Sequence, residues 1–102
     1  MNRRPELTPI FKRLIGNDNV YFQPPESLKM QYPCIRYQLS GIKQTKANNK
    51  LYNYTQEYEV VYITREPDSK LVDEMLGAFE MISFKNAMVV DNLYHYRYKL
   101  YY

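Results

Sequence analysis

"LYNYTQEYEVVYIT", Leu51 to Thr64, is the stretch on which the fold turns. Tyr52, Tyr54, Tyr58, Val60 and Tyr62 share one parity and Glu57 and Glu59 the other, the period-two pattern of a β-strand with one face towards a core. The acids then give way to Val61 and Ile63, so both faces are expected to be covered towards the strand's end. A strand of that kind lies inside a sheet, and the rest of the chain must supply its neighbours and its cover.

Upstream, "YPCIRYQL" alternates in the same way, with Ile35, Tyr37 and Leu39 on the inner face and Cys34, Arg36 and Gln38 opposite. Between the two strands, "IKQTKANNK" (residues 42–50) is basic and polar with an Asn pair near its centre, which predicts a hairpin loop or a mobile arm. Pro24 and Pro25 remove two amide donors and make residues 23–32 a connecting loop, with a short strand, Val20 to Phe22, before it. The first helix is predicted to start at Thr8 as N-cap with Pro9 at N1, to bury Ile10, Phe11, Leu14 and Ile15, and to end at Gly16.

Downstream, "REPDSKLVDEMLGAFEM" reads as a second helix, with Asp68 or Ser69 as cap and Asp73 and Glu74 near its positive end. Leu71, Val72, Met75 and Phe79 form its buried stripe, and Gly77 is expected to let it approach the sheet. Residues 83–90 return to extended structure. The last strand, residues 93–102, places Tyr94, Tyr96, Tyr98, Leu100 and Tyr102 on one face and His95, Arg97 and Lys99 on the other. The whole predicts one α+β domain over residues 1–102, a mostly antiparallel sheet with two helices on one face.

The chain has 102 residues, enough for one modest core. A net charge of +3 is too small to announce a nucleic-acid binder, and twelve Tyr without any Trp suit half-buried sheet positions and interfaces. A single Cys allows no internal disulfide and no thiolate metal site, which points to a reducing compartment. No apolar run reaches the roughly 20 residues that span a bilayer, and "MNRRPELTPIF" has no apolar signal core, so no membrane association is expected.

Candidate chemistry is sparse. A Cys-His dyad could only be Cys34 with His95, if their strands were adjacent. Glu57 and Glu59 read as the solvated side of an amphipathic strand, Asp73 and Glu74 point to different azimuths, and Gly16, Gly41 and Gly77 form no phosphate-cradling loop. Basic residues cluster at Arg3 and Arg4, at Lys12 and Arg13, and at Lys43, Lys46 and Lys50. The Tyr-rich strands could stack on bases, as in a small single-strand nucleic-acid-binding module, but they are also the only large side chains available for the core. No catalytic residue, metal ligand or cofactor site is assigned, and an enzyme is not expected.

The segments "NVYFQPP", "YPCIRYQL", "EYEVVYITREPDS" and "NLYHYRYKLYY" together resemble the small tail-completion proteins of tailed bacteriophages and prophages, from "LTPIFKRLIG" to the terminus. The resemblance implies a tail terminator: a structural subunit without catalysis or cofactor that forms a hexameric ring, caps the tail tube and presents a surface to the head. The implied partners are further copies of itself, the tail-tube protein and a head-completion or connector protein. The implied place is the virion, at the neck or head-proximal end of the tail, after assembly in the host cytoplasm. In such a ring Lys43, Lys46 and Lys50 are expected on an arm facing the lumen, where DNA passes without being read, or a neighbouring ring. Tyr52, Tyr54, Tyr101 and Tyr102 are the expected interface residues. A head-tail joining or head-closure protein is the nearest alternative within virion assembly.

Overall fold

The computed structural model describes residues 3–47 and 50–102, with residues 45–47 and 50–54 described by their backbone alone. The elements run α1 (Arg4–Ile15), β1 (Val20–Phe22), β2 (Cys34–Ala47), β3 (Lys50–Thr64), α2 (Leu71–Ala78), β4 (Ile82–Val90) and β5 (Leu93–Tyr101). Among the described residues the strands form one five-stranded sheet in the order β1-β2-β3-β5-β4. β1 runs parallel to β2 and every other pairing is antiparallel. The strand singled out in the sequence is therefore the central one, and the chain is the single α+β domain expected.

Both helices lie on one face. Leu7 and Phe11 of α1 and Leu71 and Met75 of α2 are buried against Ile35, Tyr37, Tyr58, Val60, Tyr62, Tyr96, Tyr98 and Leu100. The opposite face is covered only at one end, where Tyr21, Met30 and Tyr32 pack over Cys34, Val61 and Ile63. This is why the period-two pattern of β3 turns apolar on both sides at Val61.

Buried tyrosines fix the helices through their hydroxyls, since a phenol removed from water must find a partner. The Tyr98 hydroxyl donates to the Val72 carbonyl at 2.9 Å, and that of Tyr96 donates to the Pro67 carbonyl at 3.1 Å. Tyr62 pairs with Ser69 Oγ at 2.9 Å. The connection from β3 and the first turn of α2, Pro67 to Val72, are thus tied down at three points by two strands. On α1, the Thr8 hydroxyl bonds that of Tyr37, and the Tyr102 hydroxyl donates to Glu6 Oε1 at 2.9 Å.

Several boundaries differ from expectation. α1 begins at Arg4, a turn before Thr8, and Pro9 lies inside it. The extra turn carries Leu7, which pairs with Phe11 at the i, i+4 spacing and is fully buried, so packing outweighs the amide donor that Pro9 lacks. Gly16 ends the helix as expected, at φ 78°, with its N–H donating to the Lys12 carbonyl. The N-cap of α2 is Lys70, with no capping side chain, although Ser69 Oγ accepts the Leu71 N–H at 3.3 Å. The helix stops at Ala78 and Phe79 still packs on the core. Leu39 is 41% exposed, beyond the cover of the helices, and does not anchor β2 inside. A Cβ on Gly77 would meet nothing within 4 Å, so that glycine permits no close approach.

Two substitutions test this packing. Tyr98→Phe should lower unfolding stability by about 0.5–1.5 kcal/mol, the net worth of one hydrogen bond. Gly77→Ala should raise it by about 0.5–1 kcal/mol, because the site is helical and open. Chemical denaturation read by circular dichroism checks both.

Candidate interaction surface

The residues expected to form a hairpin loop or an arm form a projecting two-stranded ribbon. β2 and β3 stay paired as far as Ala47 opposite Lys50, so only residues 48–49 of the expected loop fall outside the described ladder. The pairing has a physical cause, since Tyr-rich and β-branched sequence favours the pleated state and the ladder satisfies each strand's backbone groups. β5 pairs with β3 over residues 57–64 and the Tyr102 N–H donates to the Gln56 carbonyl, so among the described residues 50–55 have β2 as their one ladder partner. At about 3.3 Å per residue this ribbon projects roughly 20 Å from the body. The described chain is accordingly elongated, 51 × 29 × 24 Å.

A bulge marks the ribbon's root. Ser40 is the extra residue between the Leu39–Tyr58 and Gly41–Glu57 pairs, and its hydroxyl donates to Glu57 Oε2 at 2.9 Å. Lys99 Nζ lies 3.4 Å from Glu57 Oε1, and Lys99 and Lys43 both stand over the Tyr101 ring, at 5.4 and 5.5 Å. The Ser40 hydrogen bond, with help from Tyr101 and Lys99, holds the Glu57 carboxyl below its usual range. Tyr101 and Glu57 raise the Lys99 ammonium in turn. Glu57 is thus a fixed strut at the root.

The expected site residues divide accordingly. Lys43 is exposed at the root, on the helix-free side with Tyr101. Lys46 stands opposite Leu51 and Lys50 opposite Ala47 in the ladder, while the side chains of Lys46, Lys50, Tyr52 and Tyr54 lie outside the described ones. Tyr102 is half-buried, edge-on to Phe79 at 5.8 Å, with the Arg3 guanidinium 4.0 Å from its ring centre. Of the other basic residues, Arg4 stacks on Phe22 at 4.4 Å and Lys12 reaches Asp18 at 3.9 Å.

The one conceivable dyad is not assembled. Cys34, Ile63 and His95 occupy one row across β2, β3 and β5, so the thiol and the imidazole stand two strand spacings apart, roughly 10 Å, with Ile63 between them. His95 Nδ1 lies 3.1 Å from the Leu93 carbonyl. Cys34 is fully buried and its thiol is pushed up to about 11 by that burial, with the Arg36 charge a smaller opposing effect. Among the described residues no three His, Cys, Asp or Glu side chains gather to hold a metal ion, and no helix is long and apolar enough to cross a membrane.

Two features escaped the sequence reading. β4 is an edge strand whose residues after Ile82 are all exposed, with Phe84 at 43% and Val89 at 60%. Its signal was the unbroken Met88-Val89-Val90 run, a pattern ordinarily covered on both faces. The second is charge segregation: from Ser27 through Gln56 the chain has no Asp or Glu, while Glu66, Asp68, Asp73, Glu74 and Glu80 follow closely. No protein-family model matches the chain, and no curated protein matches it either.

The burial of Cys34 makes a sharp prediction. The fold favours the neutral thiol, so this contribution is complete below the unfolded thiol's value of about 8.5 and fades as pH rises. It is lost through about 11. Burial also raises Tyr58, Tyr96, Tyr98 and Tyr102, which adds to the alkaline loss. Stability should therefore be flat from neutral pH to about pH 8.5 and fall above it, and a thiol reagent at neutral pH should modify Cys34 only after denaturant is added. Rapid labelling of the native chain would contradict this.

Proposed function

We propose that this chain is the subunit of a ring that caps the tail tube of a tailed phage or prophage and joins it to the head connector. The observation that carries the proposal is the two-stranded ribbon projecting from a small rigid body, beside a long open sheet edge on the body's other side. A cyclic ring needs two unlike patches on each copy, one to give and one to receive, and closes when the rotation per step divides a full turn. Projecting ribbons and open edges supply such patches through backbone hydrogen bonds. The resemblance of "YPCIRYQL" and "NLYHYRYKLYY" to tail-completion proteins points the same way and adds the tube protein, the connector and passing DNA as partners.

A neck or head-closure role uses the same ring and differs only in where it sits. Base stacking by the Tyr-rich strands is a weaker reading, because Tyr37, Tyr58, Tyr62, Tyr96 and Tyr98 are buried under the helices and turned away from any strand of nucleic acid.

Polymerising tube protein from the same phage tests the proposal. Added chain should stop tube growth and leave extra density at one tube end in electron micrographs. Tubes of unchanged length with bare ends would count against tail termination, and density at the head connector alone would move the chain to the neck. Replacing Lys43, Lys46 and Lys50 together with Ala should change stability by no more than about 0.5 kcal/mol and lower the yield of joined particles. An unchanged yield would remove the arm from assembly and from DNA passage.

A further inference from the structure

The helix-free face of the sheet carries a charge pattern of its own. Register places Arg36, Val61, Arg97 and Asn86 in one row across β2, β3, β5 and β4, with Gln38, Glu59, Lys99 and Ser83 in the next. Lys43 joins them at the root of the ribbon, over the Tyr101 ring. Against these four cations the strands hold two acids on the same face, Glu57 and Glu59, together with His95. Lys85 stands at the β4 bulge beside Asn86, and the covering loop adds Lys29 and Glu26, one of each sign.

The acids leave two of the cations unmatched. Glu57 is engaged by Ser40 and Lys99. Among the described residues no carboxylate lies within ion-pair distance of Arg36 or Arg97, although Glu59 occupies the adjacent row. Both arginines are half-buried, and Arg97 Nε is buried with no acceptor. A guanidinium held in this way has lost water and gained no partner, a penalty that an arriving oxyanion relieves as the side chain turns outward. Arg36 and Arg97 stand two strand spacings apart, roughly 10 Å, with Val61 between them.

The dimensions select the anion. Along β2 the strip from Arg36 to Lys43 is about 20 Å long, too long for one small anion and equal to about six base pairs of duplex at ~3.4 Å per step. A duplex carries a charge every ~1.7 Å of its length, so it meets fixed cations in any register. An acidic peptide would have to match its acids to them one by one. A single strand gains most from free aromatic rings. Here Tyr101 lies under Lys43 and Lys99, and Tyr21 packs into the cover of the face's far end.

We infer that the helix-free face binds the phosphate backbone of double-stranded nucleic acid through Arg36, Arg97, Lys43 and Lys99. Such contacts position a duplex and read no sequence. The inference goes beyond the ring proposal and does not rest on it, because one copy presents the whole strip.

Fluorescence anisotropy of the full-length chain with a short labelled duplex tests it. Wild type should bind at about 50 mM salt and release the duplex as salt rises, each phosphate contact adding about −0.9 to the slope of log K against log salt. Arg36→Gln with Arg97→Gln should make that slope shallower by about 2 and weaken binding by roughly tenfold or more, with the circular dichroism spectrum unchanged. Lys43→Gln, at an exposed position, should make it shallower by about 1. Lys12→Gln with Arg13→Gln, on α1, should leave affinity and slope as in wild type. A wild-type chain that fails to bind at about 50 mM salt overturns the inference. So does a wild-type slope in the Arg36 and Arg97 double variant and in Lys43→Gln, or an equal loss in the α1 variant. Poly-glutamate that displaces the duplex at equal charge concentration would assign the face to an acidic protein and overturn it as well. None of these measurements involves tube protein, so their failure leaves the proposed function in place.

Discussion

The structure depends on one constraint: large phenols buried in a small domain must each bury a ring and satisfy a hydroxyl. Burying an unpaired hydroxyl costs on the order of 1–3 kcal/mol, a large fraction of a small domain's stability. Tyr62, Tyr96 and Tyr98 meet the constraint on the segment between Pro67 and Val72, and Tyr37 meets it on Thr8. Their rings stack or meet edge-on along the sheet, as Tyr62 does with Tyr96 at 6.0 Å and Tyr37 with Tyr58 at 6.1 Å. Helix position, sheet register and core composition are therefore one solution to one problem.

Turning these aromatics inward shapes what is left outside. Both helices and the long loop are used to cover β2, β3 and β5, so β4 stays uncovered at one edge and the ribbon stays unpaired beyond Gln56. The helix-free face keeps polar rows, and among the described residues Arg97 Nε is the buried side-chain nitrogen left without an acceptor. A surface with an open edge, a projecting ribbon and separated charge is suited to neighbours more than to a small substrate.

Much of this was legible in the sequence, for physical reasons. Period two is unambiguous where one face is dry, which is why β3, β5 and the start of β2 could be read residue by residue. The bulge at Ser40 was not legible, because one inserted residue changes no composition, and it leaves Leu39 exposed where the pattern placed it inside. Thr8-Pro9 looks like a helix start locally, and only the burial of Leu7 shows that tertiary packing moved the start forward. The ribbon's place as a loop or an arm was legible, but its strand pairing was not, because its polar residues resemble a turn and nothing local records that the facing strand continues. Cys34 and His95 share a face as their parity implied, but the intervening β3 is a matter of strand order, which one sequence does not state.

The central claim is that this body works as one of several identical copies around a closed ring at the tube end. Native mass measurement of the purified chain together with its tube protein tests it most directly. The account predicts a closed oligomer of this chain, about six copies if the resemblance to tail-completion proteins holds, bound to tube protein in a fixed ratio. A chain that remains a monomer with tube protein present would contradict it.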